Sequence, residues 1–247
     1  RLTGNTDIRI LERALNEIVR RHDILRATFK SVDGKPSQVI SPEQSLTLKA
    51  EEVSEDEAIR ICNKKALMPF DLSIGPLFRI HLFQTRSEEY ILLVVMHHIV
   101  SDGWSIEVLF KELTTLCTAF FEGKSSPLAE LPIQYSDFAV WQREWLKGEL
   151  LEKQLNYWKE RLKGIPALLE LPTDRPRLPV QTYNGSTEIF EIDQELTEQL
   201  KSLSLGRRVS LFMTLHATFS LLLSRYSGQN DIVVGVPIAN RNYKQIE

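Results

Sequence analysis

The longest apolar run of the chain constrains its fold most, because the run is both strongly β-forming and short. It reads YILLVVM and spans Tyr90 to Met96. The run is far too short to cross a bilayer, which takes about 20 residues in a helix. A short, continuous apolar run predicts a strand covered on both faces, as in proteins that pack helices against a sheet. We therefore expect an α/β fold with this strand inside its sheet.

Other periodic patterns predict the elements around this strand. Apolar residues at three- and four-residue steps predict helices; Thr6 or Asp7 can cap the first, and a capping box from Ser54 to Glu57 opens the second. The predicted helices span 7–21, 54–67, 104–122, 133 to about 162, a segment from 194, and 210–226. The predicted strands are two around an Asp33-Gly34 turn, then SLTLKAEEV, PLFRIHLFQ, EEYILLVVMH, STEIFEI and DIVVGVPI.

Composition shifts after Gly164, where prolines stand at positions 166, 172, 176 and 179. Proline lacks the N–H that a regular helix or a central strand needs, so this stretch predicts an extended strap. We predict an N-terminal lobe over residues 1–164, the strap over 165–184, and the beginning of a second α/β lobe over 185–247. The last predicted strand would have little to pair with, so we expect the chain to be part of a longer protein.

Composition and charge exclude several classes of function. The 247 residues are 43% hydrophobic and 26% charged, which is typical of a globular domain with its own core. The net charge of -3 gives no electrostatic footprint for nucleic acid or for an anionic membrane. Cys62 and Cys117 lie far apart in helix-like segments, which argues against a disulfide framework and a metal site. With no signal peptide visible, we expect a cytoplasmic protein.

The apolar run ends in MHHIVSDGWS, the stretch with the strongest chemical content. Adjacent side chains of a strand point to opposite faces, so His97 and His98 cannot share one task. A histidine can take up and return a proton near neutral pH. Gly103 stands at a predicted helix start, where a free backbone N–H could stabilise a developing oxyanion. Each residue also has an ordinary reading: Asp102 as an N-cap, Gly103 as a flexible position, and the histidines as packing residues. A metal pair is a further alternative, but adjacent strand histidines diverge and no third ligand stands at a familiar spacing.

Several motifs together resemble the condensation domains of nonribosomal peptide synthetases. HHIVSDG (His97–Gly103) matches the HHxxxDG signature, and YSDFAVWQ (Tyr135–Gln142) matches YxDFAxWQ. RHDILRATF (Arg21–Phe29) resembles RHExLRTxF, and LPTDRPR and DIVVGVPIANRN follow in the expected order. The resemblance covers essentially the whole chain. It implies a fold similar to chloramphenicol acetyltransferase: one α/β lobe, a two-layer α+β sandwich, followed by the start of a second lobe.

The resemblance also implies an activity and roles for individual residues. Such domains join an upstream acyl or peptidyl thioester to the amine of a downstream aminoacyl thioester, both held on the phosphopantetheine arms of carrier domains, with no other cofactor and with an adenylation domain nearby. His98 is then the catalytic histidine, as general base or as the group that positions the amine. His97 supports the loop from its core side. Asp102 is expected to pair with Arg21, and Arg26 is a second supporting charge.

Two further groups of residues are interpreted from their position and spacing. Trp104 and Ser105 could line the substrate tunnel, although core packing fits Trp104 better. Tyr135, Phe138, Trp141 and Trp145 recur at helical spacing, which predicts a core-packing face rather than a binding box.

Alternatives within the same fold are an epimerization domain, a non-catalytic domain that recruits a partner enzyme, and a stand-alone acyltransferase. The phrase DGWSIEVL departs from the VSW-like continuation of epimerization domains, and the intact histidine motif favours catalysis. Similarity of RHDILRATF and DRPRLPVQTYNG to the family favours a donor of L configuration. We expect these 247 residues alone to be inactive, since most of the second lobe is absent.

Overall fold

The computed structural model describes residues 1–183 and 185–246. It divides into two compact units, one of residues 1–147 with the C-terminal segment from Ala239, and one of Gly148–Ile238. The predicted boundaries at residues 164 and 184 stay predictions.

The first unit is a mixed sheet with helices packed on it. Its strands are β1 (Leu2–Thr3), β2 (Ala27–Val32), β3 (Lys35–Ile40), β4 (Ala50–Glu52), β5 (Phe78–Arg86) and β6 (Glu89–Met96). Its helices are α1 (Ile8–Arg21), α2 (Glu55–Ala66), α3 (Gly103–Phe121) and α4 (Tyr135–Trp145), with 3-10 turns at Asp23–Arg26 and Lys244–Ile246. The predicted α/β class is therefore confirmed.

The four-stranded sheet has the order β1-β6-β5-β4. β6 pairs antiparallel with both β1 and β5, whereas β4 runs parallel to β5. β2 and β3 form a separate hairpin, and the residues at its tip, Asp33 and Gly34, both have positive φ angles, 50° and 75°. Two such residues in sequence are what a tight two-residue hairpin turn requires.

The core lies where α1 and α3 pack against the sheet. Leu11, Leu15 and Ile18 of α1 lie in one buried cluster with Leu82 of β5 and Leu116 of α3. Each such side chain contributes about 1.5–3 kcal/mol when removed from water. The caps follow the sequence: Asp7 accepts the backbone N–H of Arg9, and Ser54 accepts that of Glu57.

Two of these predictions need correction. Strand β6 is half-buried rather than covered on both faces; of its residues only Tyr90 is buried. The single helix predicted from residue 133 to about 162 is two helices, because α4 ends at Trp145 and a further helix, α5 (Gly148–Arg161), begins at Gly148. Gly148 has a φ of 58°, a left-handed conformation that interrupts a right-handed helix.

The second unit contains α5 (Gly148–Arg161), α6 (Gln194–Gly206) and α7 (Leu211–Ser227). The hydroxyls of Ser204 and Thr214 lie 2.7 Å apart and join α6 to α7. In residues 148–183 and 185–238 no strand forms, so the strands predicted from STEIFEI and DIVVGVPI are wrong for this structure. A strand exists only where a neighbour accepts and donates its backbone hydrogen bonds, and neither segment has such a neighbour here.

Within the described residues, no helix is both long and apolar enough to cross a membrane. The same residues contain no cluster of three or more histidine, cysteine, aspartate or glutamate side chains placed to hold a metal ion.

Candidate functional site

The loop after β6 turns sharply around His97. The backbone N–H of His97 donates to the carbonyl of Leu77 at 2.9 Å, and the N–H of Val100 donates to the carbonyl of His97 at 3.0 Å. The ring also acts locally: its Nδ1 accepts the N–H of Ile99 at 3.0 Å. The edge-to-face ring contact with Phe70, at 6.0 Å between centroids, holds the ring half-buried. His97 therefore stabilises the turn, and it packs against Phe70 rather than in the deep core.

His98 is exposed, and it lines a cavity of about 350 Å³. Most of the walls are apolar and come from the end of α1, the β6–α3 loop, the first turns of α3 and residues 131–135. A smaller set of polar side chains shares the cavity: His22, His98, Ser101, Asp102, Ser105, Gln134, Tyr135, Arg241 and Gln245. An apolar cavity with a few polar groups is typical of a small-molecule or cofactor-arm site.

Asp102 fixes the start of α3 and binds an arginine from the C-terminal segment. Its Oδ1 accepts the backbone N–H of Ser105 at 2.8 Å and the Ser105 hydroxyl at 2.5 Å, which makes it the N-cap of the helix. Nη2 of Arg241 donates to Oδ1 and Oδ2 of Asp102 at 3.1 and 3.2 Å and to the Ser105 hydroxyl at 3.3 Å. The Asp102 carboxylate therefore binds both Ser105 and Arg241.

The surroundings of Asp102 favour its charged form. Partial burial, the largest single influence, acts to raise the pKa of Asp102. The donors of Ser105 and the charge of Arg241 together outweigh burial, so the pKa lies below its ordinary value. An ionised carboxylate at a helix N-terminus also interacts favourably with the helix dipole.

The predicted ion pair between Asp102 and Arg21 is wrong. Arg21 is buried, and its Nη2 lies 3.1 Å from Oε1 of Glu112. Packing explains the difference: Arg21 ends α1, and α1 packs against the middle of α3. Glu112 lies ten residues after Asp102, which is roughly 15 Å farther along the helix axis. Arg21 cannot reach both carboxylates.

Glu112 is the centre of a buried polar cluster that the sequence did not reveal. Besides Arg21, it contacts Nε2 of His22 at 2.8 Å from its Oε2, and Nη1 of Arg21 donates to the carbonyl of Ala129 at 2.5 Å. Burial is the largest influence and acts to raise the pKa of Glu112, but the contacts with His22 and Arg21 outweigh it and lower the pKa. The available signal was one acidic residue within the apolar stripe of α3, next to buried Leu113 and Leu116.

The other predicted site residues lie elsewhere or act differently. Arg26 donates to the carbonyls of Val19, Ser41 and Pro42 and pairs with Asp23, so it organises loops and does not reach the histidine motif. Trp104 is 42% exposed and is not part of the cavity wall, whereas Ser105 is part of it. Gly103 is the first residue of α3, and a Cβ added there would meet no atom within 4 Å.

The aromatic residues of α4 form a surface stack rather than the predicted core face. Trp141 and Trp145 stack with centroids 5.5 Å apart, and Tyr243 meets Trp141 edge to face at 5.4 Å. Trp141 and Trp145 remain 41% and 48% exposed, and α4 has no buried residue. The predicted helical spacing is correct, but spacing alone does not show whether another part of the fold covers that face of the helix.

Comparisons with known proteins agree with the motif pattern. A family model described as a condensation domain matches residues 1–247. A linear gramicidin synthase from Brevibacillus parabrevis is 49% identical over 254 residues. The match covers 100% of the chain and 5% of that synthase, so the chain spans a small part of this relative's length.

Solved structures share the fold. The X-domain in its complex with OxyB from teicoplanin biosynthesis is 28% identical, with a TM-score of 0.83 over 92% of this chain and 51% of that one. A four-domain nonribosomal peptide synthetase bound to AMP and glycine is 22% identical, with a TM-score of 0.83 over 98% of this chain and 18% of that one. The second likeness concerns the fold alone.

Proposed function

This chain belongs to the condensation-domain family of nonribosomal peptide synthetases, and on that basis we propose that it joins two carrier-bound substrates through an amide bond. The α-amine of a downstream aminoacyl thioester attacks the carbonyl carbon of an upstream acyl or peptidyl thioester. The C–N bond forms, the C–S bond breaks, the amine gives up one proton, and the upstream thiolate takes up one. Both substrates arrive on phosphopantetheine arms of carrier domains, next to an adenylation domain.

The observation that carries this proposal is the position of His98. Its exposed ring lies in the wall of a cavity, at the end of a strand and directly before a helix start held by an ion pair. A histidine in this position can accept the proton that the amine loses, or hold the neutral amine in place. Because both substrates are tethered and the thioester is already activated, proximity supplies a large share of the rate.

Asp102 supports the reaction by shaping the loop. Among the hydrogen bonds of the described residues, those of the Asp102 carboxylate go to Ser105 and Arg241, and none goes to His98. The site therefore differs from a triad in which a carboxylate orients the catalytic histidine. Within residues 1–183 and 185–246, no carboxylate is hydrogen-bonded to His98, and Gly103 offers its backbone N–H at the start of α3.

The donor is proposed to have the L configuration. RHDILRATF and DRPRLPVQTYNG support this choice through their similarity to the corresponding phrases of condensation domains that take such donors. A pair of upstream carriers, loaded with the L and the D form of one residue, tests it. A faster reaction of the D-loaded carrier would contradict the proposal.

The central experiment compares His98→Ala with His97→Ala in the protein that carries this chain, using two loaded carriers. His98→Ala should lower the rate of amide formation by about 10²-fold or more without changing the unfolding temperature, since general acid–base groups contribute about 10²–10⁴. His97→Ala should lower stability, because its ring contacts Phe70 and Ile99. A His98→Ala rate within a few-fold of the unmodified protein would contradict the proposal.

A second candidate function is recruitment of a partner enzyme, as in the solved complex of the X-domain with OxyB. The likeness to that domain supports it. Domains of the recruiting kind typically carry a damaged histidine motif, whereas His98 and Asp102 are both present here. Amide formation that depends on His98 separates the two, because a recruiting domain needs no such histidine.

A further inference from the structure

His22 shares the cavity with His98 but belongs to a different part of the fold. It follows the last residue of α1 and has an extended backbone, with φ -103° and ψ 98°. Its ring is half-buried, and it forms part of the same cavity wall as His98, Asp102 and Ser105. The wall of the cavity therefore contains a second imidazole besides that of His98.

The contact with Glu112 determines which ring atom His22 can offer to the cavity. Nε2 lies 2.8 Å from Oε2 of Glu112, whose lowered pKa keeps it a carboxylate and hence an acceptor. Nε2 must therefore carry the proton and donate it. Nδ1 makes none of the hydrogen bonds found among the described residues, so it is the ring nitrogen left for a ligand.

Arg21 already forms an ion pair with the carboxylate that His22 contacts. Arg21 is buried beside the same carboxylate, with Nη2 at 3.1 Å and Nε at 3.5 Å, and already neutralises Glu112. In the tautomer that carries its single proton on Nε2, the imidazole has its lone pair at Nδ1.

We infer that His22 is a substrate-contacting residue, whose Nδ1 accepts a hydrogen bond from an N–H of the amine substrate in the cavity. The inference rests on the proposed function, since the attacking group there is a neutral amine with N–H donors. His98 receives the proton that the amine loses, and His22 holds a second N–H so that the nitrogen lone pair is aimed at the thioester. Glu112 acts through His22 as a positioning residue.

Two substitutions of His22 test the roles of Nε2 and Nδ1 separately. Glutamine places its amide nitrogen about where Nε2 lies, whereas asparagine places its polar atoms near Nδ1. His22→Gln should keep the contact with Glu112 and the unfolding temperature, yet lower the rate of amide formation about tenfold. His22→Asn should lose the contact with Glu112 and unfold at a lower temperature, yet react faster than His22→Gln below that temperature.

The reverse order of rates would overturn the inference, as would a His22→Gln variant that is as fast as the unmodified protein. Loss of rate that merely follows loss of folded protein in both variants would also overturn it, because that is the pattern of a purely structural residue.

A binding measurement tests the inference without turnover. ¹⁵N-histidine spectra of the protein that carries this chain should show His22 as the tautomer protonated at Nε2. Addition of a hydrolysis-stable alanyl pantetheine amide, at a pH above the pKa of its amine, should shift the Nδ1 signal, and the N-acetylated control should shift it less. An unmoved Nδ1 signal would overturn the role of His22. If the unmodified protein formed no amide, the proposed function would fail, and this titration would still decide the role of His22.

Discussion

Arg241 and Asp102 stand 139 residues apart in the chain, and their side chains form an ion pair 3.1 Å long at the start of α3. The pair ties the segment after Ala239 to the histidine loop. It is only partly shielded, with 22% of the arginine and 38% of the aspartate side chain exposed. Solvent therefore weakens it, and a pair of this kind contributes at most about 1 kcal/mol.

Asp102→Asn should cost less stability than Asp102→Ala. Asparagine is also a good N-cap, so it keeps the bond to the backbone N–H of Ser105 and loses only the charge. We expect a loss of about 1 kcal/mol for Asp102→Asn and about 1 kcal/mol more for Asp102→Ala. Urea unfolding of both variants checks these stability losses. Arg241→Gln, which removes the partner of Asp102, is the matched control. A loss of about 3–5 kcal/mol in Asp102→Asn would instead indicate a fully buried pair.

Arg21 and Glu112 should behave differently, because their side chains are only 3% and 12% exposed. Removing either partner alone leaves a buried charge without its counterion, which costs about 3–5 kcal/mol. Glu112→Gln and Arg21→Met should therefore each lower the free energy of unfolding by about this amount. The double variant Arg21→Met with Glu112→Gln should lose much less than the sum of the two single losses. Additive losses would show that the two side chains are not coupled.

These two pairs mark the limit of what sequence reasoning could reach. Periodicity located α1, α3 and β6, and the strand–turn–helix pattern placed His98 on the connecting loop, because these features depend on neighbours in the chain. The partners of Asp102 and Arg21 depend on how distant segments pack. The motif predicted an ion pair between Arg21 and Asp102. Because α1 packs against α3, Arg21 instead pairs with Glu112, and Asp102 pairs with Arg241.

Acid should destabilise the protein through these two carboxylates. The pKa values of Asp102 and Glu112 are both lowered in the folded state, so their contribution is complete above the unfolded values, about 3.9 and 4.3, and is lost as the pH falls through the folded values. We expect the free energy of unfolding to fall below about pH 4. Glu112→Gln and Asp102→Asn should each flatten this dependence, because each removes a carboxylate whose pKa is lower in the folded state. Glu52→Gln, on the exposed end of β4, is the control. Equal acid sensitivity in all variants would contradict the assignment.

Gly103 can serve the site in two ways that can be tested separately: through an unhindered backbone, or through a backbone N–H that stabilises the oxyanion. If the position needs an unhindered backbone, alanine should harm it; the structure predicts otherwise, because an added Cβ would meet no atom within 4 Å. Gly103→Ala should therefore stay within about threefold of the unmodified rate of amide formation, since it retains the N–H.

Proline is favoured at the first position of a helix, and Asp102 before it already has the extended backbone that proline requires, with φ -138° and ψ -176°. Gly103→Pro should thus fold normally while lacking the N–H. If that N–H stabilises the developing oxyanion, the rate should fall by about 10²–10³. Equal rates in Gly103→Pro and Gly103→Ala would assign the oxyanion to another donor.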